Sequence, residues 1–454
     1  MFSRVLVANR GEIAVRIIRA LHELGVEAVA VYSTADADAL HVRMADRAVC
    51  VGPPPAAESY LNIPSMVAAG ETTRCDAVHP GWGFLAENPA FARACEDNEL
   101  VFVGPSAEVM AKTGDKVEAK AEMARARMPL IPGTEHAVGI DDARAAAAEL
   151  GFPVLLKAAA GGGGRGMRLV SSEAELDAVF RGAAAEAGAA FGDESLYVEK
   201  ALVPARHVEV QVLCDGRGGV LTLGERECSI QRRHQKLLEE TPSPAVGPEL
   251  REQMEAAVER ACRTLGYRSV GTFEFLLGPD GGFYFMELNA RLQVEHPVTE
   301  LVTGRDLVRD QIRVAAGERL DQTGRAPRRG HSLEARINAE DPARDFAPAP
   351  GRIERFRAPL GPGVRVDAYV ESGTVVPPFY DSLLGKVVVW DVDRPAAIAR
   401  GIRALSELEL TGIPTTRELA IAILRGEAFG SGRYSTSFLD ESAPLVEAAK
   451  EVAR

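Results

Sequence analysis

Several absences narrow the chemistry of this 454-residue chain before any motif is considered. Its cysteines, Cys50, Cys75, Cys95, Cys214, Cys228 and Cys262, form no C-x-x-C pair and no zinc-ligand spacing, which is the pattern of reduced thiols in a cytosol. Only Cys228 falls near candidate chemistry; the other thiols read as structural. No apolar run approaches a membrane span of ~20 residues. The opening "MFSRVLVANRGE" meets arginine and glutamate too early for a secretion signal. A soluble, cytoplasmic protein is expected. Basic residues are in deficit, 52 Lys and Arg against 65 Asp and Glu, and the net charge of −13 argues against nonspecific nucleic-acid or membrane binding. Any phosphate site must therefore be a local basic cluster. Both familiar phosphate loops are missing too: no Lys-Ser or Lys-Thr follows a glycine run, and the first strand-helix unit has no G-x-G-x-x-G.

What is present begins with "KAAAGGGGRGMRLV", residues 157–170. Each glycine costs roughly 0.5–1 kcal/mol relative to alanine inside regular structure, so a run of them needs a reason. The flanks "FPVLLKA" and "MRLV" have strand length and composition. The next helix signal comes only at "SSEAEL", where Ser172 and Glu175 have capping-box spacing. The run is thus expected at a hairpin tip, where amides free of Cβ crowding fold over an anion as a mobile nest, with Lys157 on the strand beneath. A plain flexible linker is the alternative. At the N-terminus "RVLVAN", "RGEIAVRIIRALHELG" and "VEAVAVYS" read as strand, helix and strand, with Ile13, Ile17, Leu21 and Leu24 on one helical face. This parallel α/β opening reads as scaffold. The polar segments "MPLIPGT" and "DQTGRAPRRG" mark seams.

The strongest constellation lies in "GTFEFLLGPDGGFYFMELNARLQVEHP", residues 271–297. A two-residue turn at Asp280-Gly281 would set Glu274 directly opposite Glu287, with Asn289 on the same face. Opposed carboxylates repel by roughly 0.2–1 kcal/mol unless a cation or proton lies between them. Such oxygen donors suit Mg²⁺ shared with substrate phosphates; a solvated edge hairpin is the alternative. Arg291, Gln293 and Glu295 then recur at every second position, and Pro297 disfavours helix at His296. If extended, they converge to hold a small planar oxyanion and accept its proton; a surface strand with alternating polar residues is the other reading. A basic cluster, "SIQRRHQK" at 229–236, follows Glu199, Lys200 and His207. Lys116, Lys157, Lys200 and Lys236 read as counter-charges for a triphosphate, or else as an ordinary charged face.

Together, "KAAAGGGGRGMR", "EKAL", "QRRHQK", "FEFL", "MELNARLQVEHPVTE" and "EARINAEDP" resemble biotin carboxylase, a family of ATP-grasp ligases. The likeness runs from "ANRGEIAVRI" through "HPGWGFLAEN" and "GDK" to "PPFYDSLLGK" and "TGIPTTREL", essentially the whole chain. It implies an α/β and α+β fold in three parts. These are a Rossmann-like N-terminal domain at 1–112, an ATP-grasp domain at 113–325 with a glycine-rich lid at 131–203, and a C-terminal biotin carboxylase domain at 331–440. The implied reaction activates bicarbonate with ATP as carboxyphosphate, then carboxylates biotin. The resemblance assigns nucleotide contacts to Lys116, Lys157, Gly163, Gly164, Glu199, Lys200, Leu202, His207, Gln231, His234, Glu274 and Glu287. It assigns Mg²⁺ or Mn²⁺ to Glu274, Glu287 and Asn289, and bicarbonate to Lys236, Arg291, Gln293 and the Val294 backbone. Glu295 is the implied base, Lys236 steadies carboxyphosphate, and Arg336 stabilises the biotin enolate. Ala160 stands where the family commonly has glycine, Trp82 where tyrosine is usual, and Ala290 where threonine or proline is common. No methionine is followed by lysine, so the chain has no biotinylation signal. Biotin is expected on a separate carrier protein, with carboxyltransferase subunits and a homodimer also implied. Other readings are a different ATP-grasp ligase and a nucleotide sensor without turnover.

Overall fold

The computed structural model describes residues 1–134, 136–158 and 167–442, without the side chains at 116, 117, 190 and 191. The N-terminal part is built on a five-stranded parallel sheet in the order Arg47–Gly52, Glu27–Ser33, Arg4–Val7, Ala77–His79, Val101–Phe102. Helix Gly11–Glu23 packs on it with Ile13, Ile17 and Leu21 buried, as the apolar spacing predicts. Leu24 sits just past its end as the C-cap residue.

The small sheet at 154–200 is antiparallel, in the order Met167–Val170, Val154–Ala158, Leu196–Lys200. The strands flanking the glycine run therefore do pair as a hairpin, with Lys157 opposite Met167. Glu175 accepts a hydrogen bond from the Ser172 amide at 2.9 Å, setting the start of helix Glu173–Phe191 at the expected residue. Residues 159–166, with Ala160, Gly163 and Gly164, lie outside the described residues.

One large sheet carries most of the remaining chain. Its strand order is Phe283–Asn289, Arg268–Leu277, Arg206–Asp215, Val220–Arg232, Gln235–Thr241, His331–Asn338, Leu383–Asp391, Val364–Ala368. It continues across the seam at "DQTGRAPRRG", because Gln235–Thr241 pairs antiparallel with His331–Asn338. That segment even supplies Gly324–Arg325, which pairs with Val220–Arg232. A polar Gly/Pro composition thus marks a change of direction here while the sheet runs on through it. The fold is α/β and α+β, as the resemblance implies.

Candidate functional site

The site is assembled on the large sheet by the two-residue period of its strands. On Arg206–Asp215, His207 and Glu209 share a face, and the neighbouring strand brings Glu274 opposite Glu209. Glu274 in turn faces Glu287. The expected pairing is therefore present, but the turn that produces it differs. Near the tip, Phe275 faces Phe285 and Leu277 faces Phe283, and Gly278 donates its amide to Gly282 O at 2.9 Å. The connection is a longer loop, Pro279-Asp280-Gly281, with Gly281 at φ 78°. A bulge at Met286 then shifts the register back by one and restores the facing glutamates.

Lys236 is the hub. Its ammonium donates to Glu209 Oε2 at 2.6 Å, Glu274 Oε1 at 2.9 Å and Glu295 Oε1 at 2.6 Å. Burial opposes its charge, but these carboxylates outweigh burial and hold its pKa well above the usual lysine value. The same balance keeps Glu274 and Glu295 well below the usual carboxylate range: burial works against ionisation, and Lys236 leads the cations that overcome it. Arg336 donates to Glu239 Oε1 at 2.6 Å and Glu295 Oε2 at 3.0 Å. Glu239 is pushed up to about 7 by burial, which Arg336 only partly offsets. His207 Nε2 lies 3.1 Å from Glu274 Oε2, and this carboxylate keeps the ring's pKa raised despite burial. Cys228 Sγ lies 3.9 Å from Glu295, and burial drives the thiol well above its ordinary range.

Arg291, Gln293 and Glu295 do converge, although an extended strand is not what brings them together. Helix His296–Thr303 starts immediately after Glu295, with Pro297 tolerated in its first turn, where an amide has no helical acceptor anyway. Arg291 donates to Gln293 Oε1 at 3.0 Å and Asn289 Oδ1 at 2.8 Å, and Gln293 donates to Glu274 at 3.2 Å. Glu87, from the N-terminal part, accepts from Arg291 Nε at 2.8 Å and from the Ala290 amide at 2.9 Å.

A second group centres on Glu199 of the small sheet. Lys157 and Lys120 both donate to Glu199, the latter at 2.5 Å, and together they overcome burial to depress its pKa. Lys200 donates to Gly151 O at 2.8 Å. Leu202 follows the strand that carries Glu199. Gln231 faces Lys236 across the next hairpin, and His234 is exposed at its tip at φ 66°. The Lys116 side chain lies outside the described residues. Among the described residues no hydrogen bond or ion pair joins Lys120, Lys157, Glu199 or Lys200 to the Lys236 cluster.

The donors expected to hold a divalent ion fit that task. Glu287 is exposed, and among the described residues no cation pairs with it. Partial desolvation, then the Glu274 and Glu87 carboxylates, raise its pKa. A hard cation would relieve that repulsion.

The sequence reading missed Glu209, Glu239, Arg226 and Glu87. Arg226, fully buried, donates to Glu209 Oε1 at 2.6 Å and so anchors the carboxylate that holds Lys236. Glu209 could have been found from its period-two spacing with His207. Glu87 has no local signal, since Arg291 is 204 residues away.

A lysine-bearing hairpin sheet set against a long antiparallel sheet with facing carboxylates is the architecture of an ATP-grasp ligase. Three family models match: "Biotin carboxylase, N-terminal domain" over residues 1–110, "Carbamoyl-phosphate synthase L chain, ATP binding domain" over 115–323 and "Biotin carboxylase C-terminal domain" over 334–441. The chain is 52% identical to a biotin carboxylase of Nostoc sp., covering 97% of this chain and 99% of the relative. It is 50% identical to one of the pyruvate carboxylase subunits of Methanothermobacter thermautotrophicus, covering 97% and 90%. The solved biotin carboxylase domain dimer of Hydrogenobacter thermophilus 2-oxoglutarate carboxylase, in complex with MgADP, ADP and bicarbonate, superimposes with a TM-score of 0.91 at 45% identity, covering 98% and 99%. The chain belongs to the biotin carboxylase family, whose members are ligases that form a C–N bond.

Proposed function

We propose that the chain carboxylates biotin, presented on a separate carrier protein, using ATP and bicarbonate. The observation that carries this reading is the position of Lys236, whose ammonium touches both Glu274, one of the proposed metal donors, and Glu295, the proposed base. Lys116, Lys157 and Lys200 would counter the phosphates, with Glu199, Leu202, His207, Gln231 and His234 completing the nucleotide site; Gly163 and Gly164, its remaining contacts, lie outside the described residues. Glu274, Glu287 and Asn289 would hold Mg²⁺, which supplies charge neutralisation of the phosphates.

Bicarbonate is bound by Arg291, Gln293, the Val294 backbone and Lys236. Glu295 takes its proton. In the ligand-free arrangement Lys236 and Arg336 hold Glu295 ionised and make it a weak base. An anion entering between these cations draws their charge towards itself and raises the basicity of Glu295 at the step that needs it. The bicarbonate oxygen then displaces ADP from the γ-phosphorus, giving carboxyphosphate. Carboxyphosphate then breaks into CO₂ and phosphate, the released phosphate takes the ureido N–H proton of biotin, and the nitrogen so freed attacks CO₂ while Arg336 stabilises the enolate oxygen. Each preorganised donor of this kind contributes about 10²- to 10³-fold.

The fit with acetyl-CoA carboxylase, as its first half-reaction in cytoplasmic fatty acid synthesis, is one assignment of the complete complex. The 50% identity to a component of pyruvate carboxylase supports a second, in which the transferase passes CO₂ to pyruvate. The resemblance to a domain dimer supports a homodimer. The deciding assay measures ADP release with and without bicarbonate and free biotin. Bicarbonate-dependent release, raised by biotin, is expected. ADP release indifferent to both additions would indicate another ATP-grasp ligase, and none at all a nucleotide sensor.

A further inference from the structure

Glu12, Lys386 and Val294 lie far apart in the chain and meet at one buried point. Lys386, on strand Leu383–Asp391, has a fully buried side chain. Its ammonium donates to the Val294 carbonyl at 2.6 Å and lies 3.3 Å from Glu12 Oε2 and 4.0 Å from Asp367 Oδ2. Burial opposes its charge, but Glu12, Glu334 and Asp367 keep the ammonium protonated. Glu12 stands in the first turn of helix Gly11–Glu23, and its other oxygen accepts from the Trp82 indole Nε1–H at 3.0 Å.

A buried ion pair adds little to stability compared with well-packed apolar residues of similar volume. An apolar pair, however, could not grip a carbonyl. The carbonyl gripped here belongs to the peptide joining Val294 to Glu295. Fixing that plane sets how the Val294 backbone is presented and where the Glu295 side chain departs. The preceding carbonyl, that of Gln293, is also held, by His296 Nδ1 at 2.7 Å. Burial and the nearby Lys386 and Arg16 charges keep His296 neutral, so Nδ1 carries the proton it donates.

We propose that the Trp82–Glu12–Lys386 chain is a positioning device, through which the N-terminal and C-terminal parts of the molecule together set the Val294–Glu295 peptide of the bicarbonate pocket. This rests on the reading of that pocket given above. The test is bicarbonate-dependent ADP release by the full chain, with bicarbonate and ATP varied separately. Glu12→Gln with Lys386→Met removes both charges at nearly constant volume. The double variant should keep a folded circular-dichroism spectrum and raise the bicarbonate KM about tenfold, with the ATP KM within about twofold of wild type. Trp82→Phe should raise the bicarbonate KM about two- to threefold, because it removes one donor from Glu12 alone. A folded double variant with an unchanged bicarbonate KM, or with both KM values raised equally, overturns the inference. If the double variant does not fold, Glu12→Gln and Trp82→Phe decide, and unchanged bicarbonate KM in both overturns it. A wild type without bicarbonate-dependent ADP release removes the functional reading and this inference with it, whereas an active wild type with unaffected variants removes the inference alone.

Discussion

Lys236 and Lys386 are both buried lysines held charged by carboxylates, yet their surroundings differ in kind. Lys236 keeps a little exposure and has three carboxylates in direct contact, Glu209, Glu274 and Glu295. Lys386 is sealed, and its shortest contact is a neutral carbonyl. Surplus carboxylates around Lys236 let an incoming anion or metal redistribute partners without leaving the ammonium bare. Around Lys386 the carboxylates stand farther off, Glu12 at 3.3 Å and Asp367 at 4.0 Å, and it serves best where nothing moves. A buried cation is therefore read by its shortest contacts: competing anions mark a group that exchanges contacts, and a backbone carbonyl marks one that holds backbone.

The comparison breaks most visibly at Lys236. Lys236→Met should reduce bicarbonate-dependent ADP release by about 10²- to 10³-fold, measured at saturating ATP, because it removes a preorganised donor and leaves three carboxylates in mutual repulsion. Residual activity above a tenth of wild type would show that the cluster tolerates loss of its hub. Arg336→Ala should come next, lowering biotin carboxylation about 10²-fold while much of the bicarbonate-dependent ATPase persists. Equal loss of both activities would place Arg336 before carboxyphosphate forms.

Glu87→Gln should have a smaller effect. It weakens the clamp on Arg291 and the Ala290 amide, and should raise the bicarbonate KM roughly three- to tenfold with kcat changed less. A change confined to the ATP KM would contradict that placement. The smallest effect is expected from Glu239→Gln. Glu239 binds its proton more tightly in the folded chain, at about 7, than an ordinary glutamate near 4.5 does in the unfolded one. Its contribution to stability is therefore present below the unfolded value and is lost as pH rises through about 7. Melting temperature should fall between pH 5 and pH 8 in the wild type, by about a few degrees from this group, and should fall less in the variant. Parallel profiles would show that Glu239 is not the titrating group.

Much of the site was legible where a two-residue period places it. Glu274, Glu287 and Asn289 could be set on one face from spacing alone, and the flanks of the glycine run declared their pairing through composition. The turn was misjudged because a bulge at Met286 and a longer loop compensate each other. Local propensity cannot reveal two offsetting shifts. The convergence of Arg291, Gln293 and Glu295 was visible, but its cause was not. Lys236 and Glu274 draw these side chains together while the backbone turns into a helix.

The amino-acid order alone determined the strands, the helix starting at Glu173, the facing glutamates and the family, since each depends on neighbours within a few residues or on motifs read in line. Only the tertiary structure decided that Glu87 grips Arg291 and that Lys386 grips Val294, across 204 and 92 residues of chain. Such contacts leave no periodic trace, because the residues between them serve other parts of the fold; the charges find each other only when burial makes an unpaired one too costly to keep.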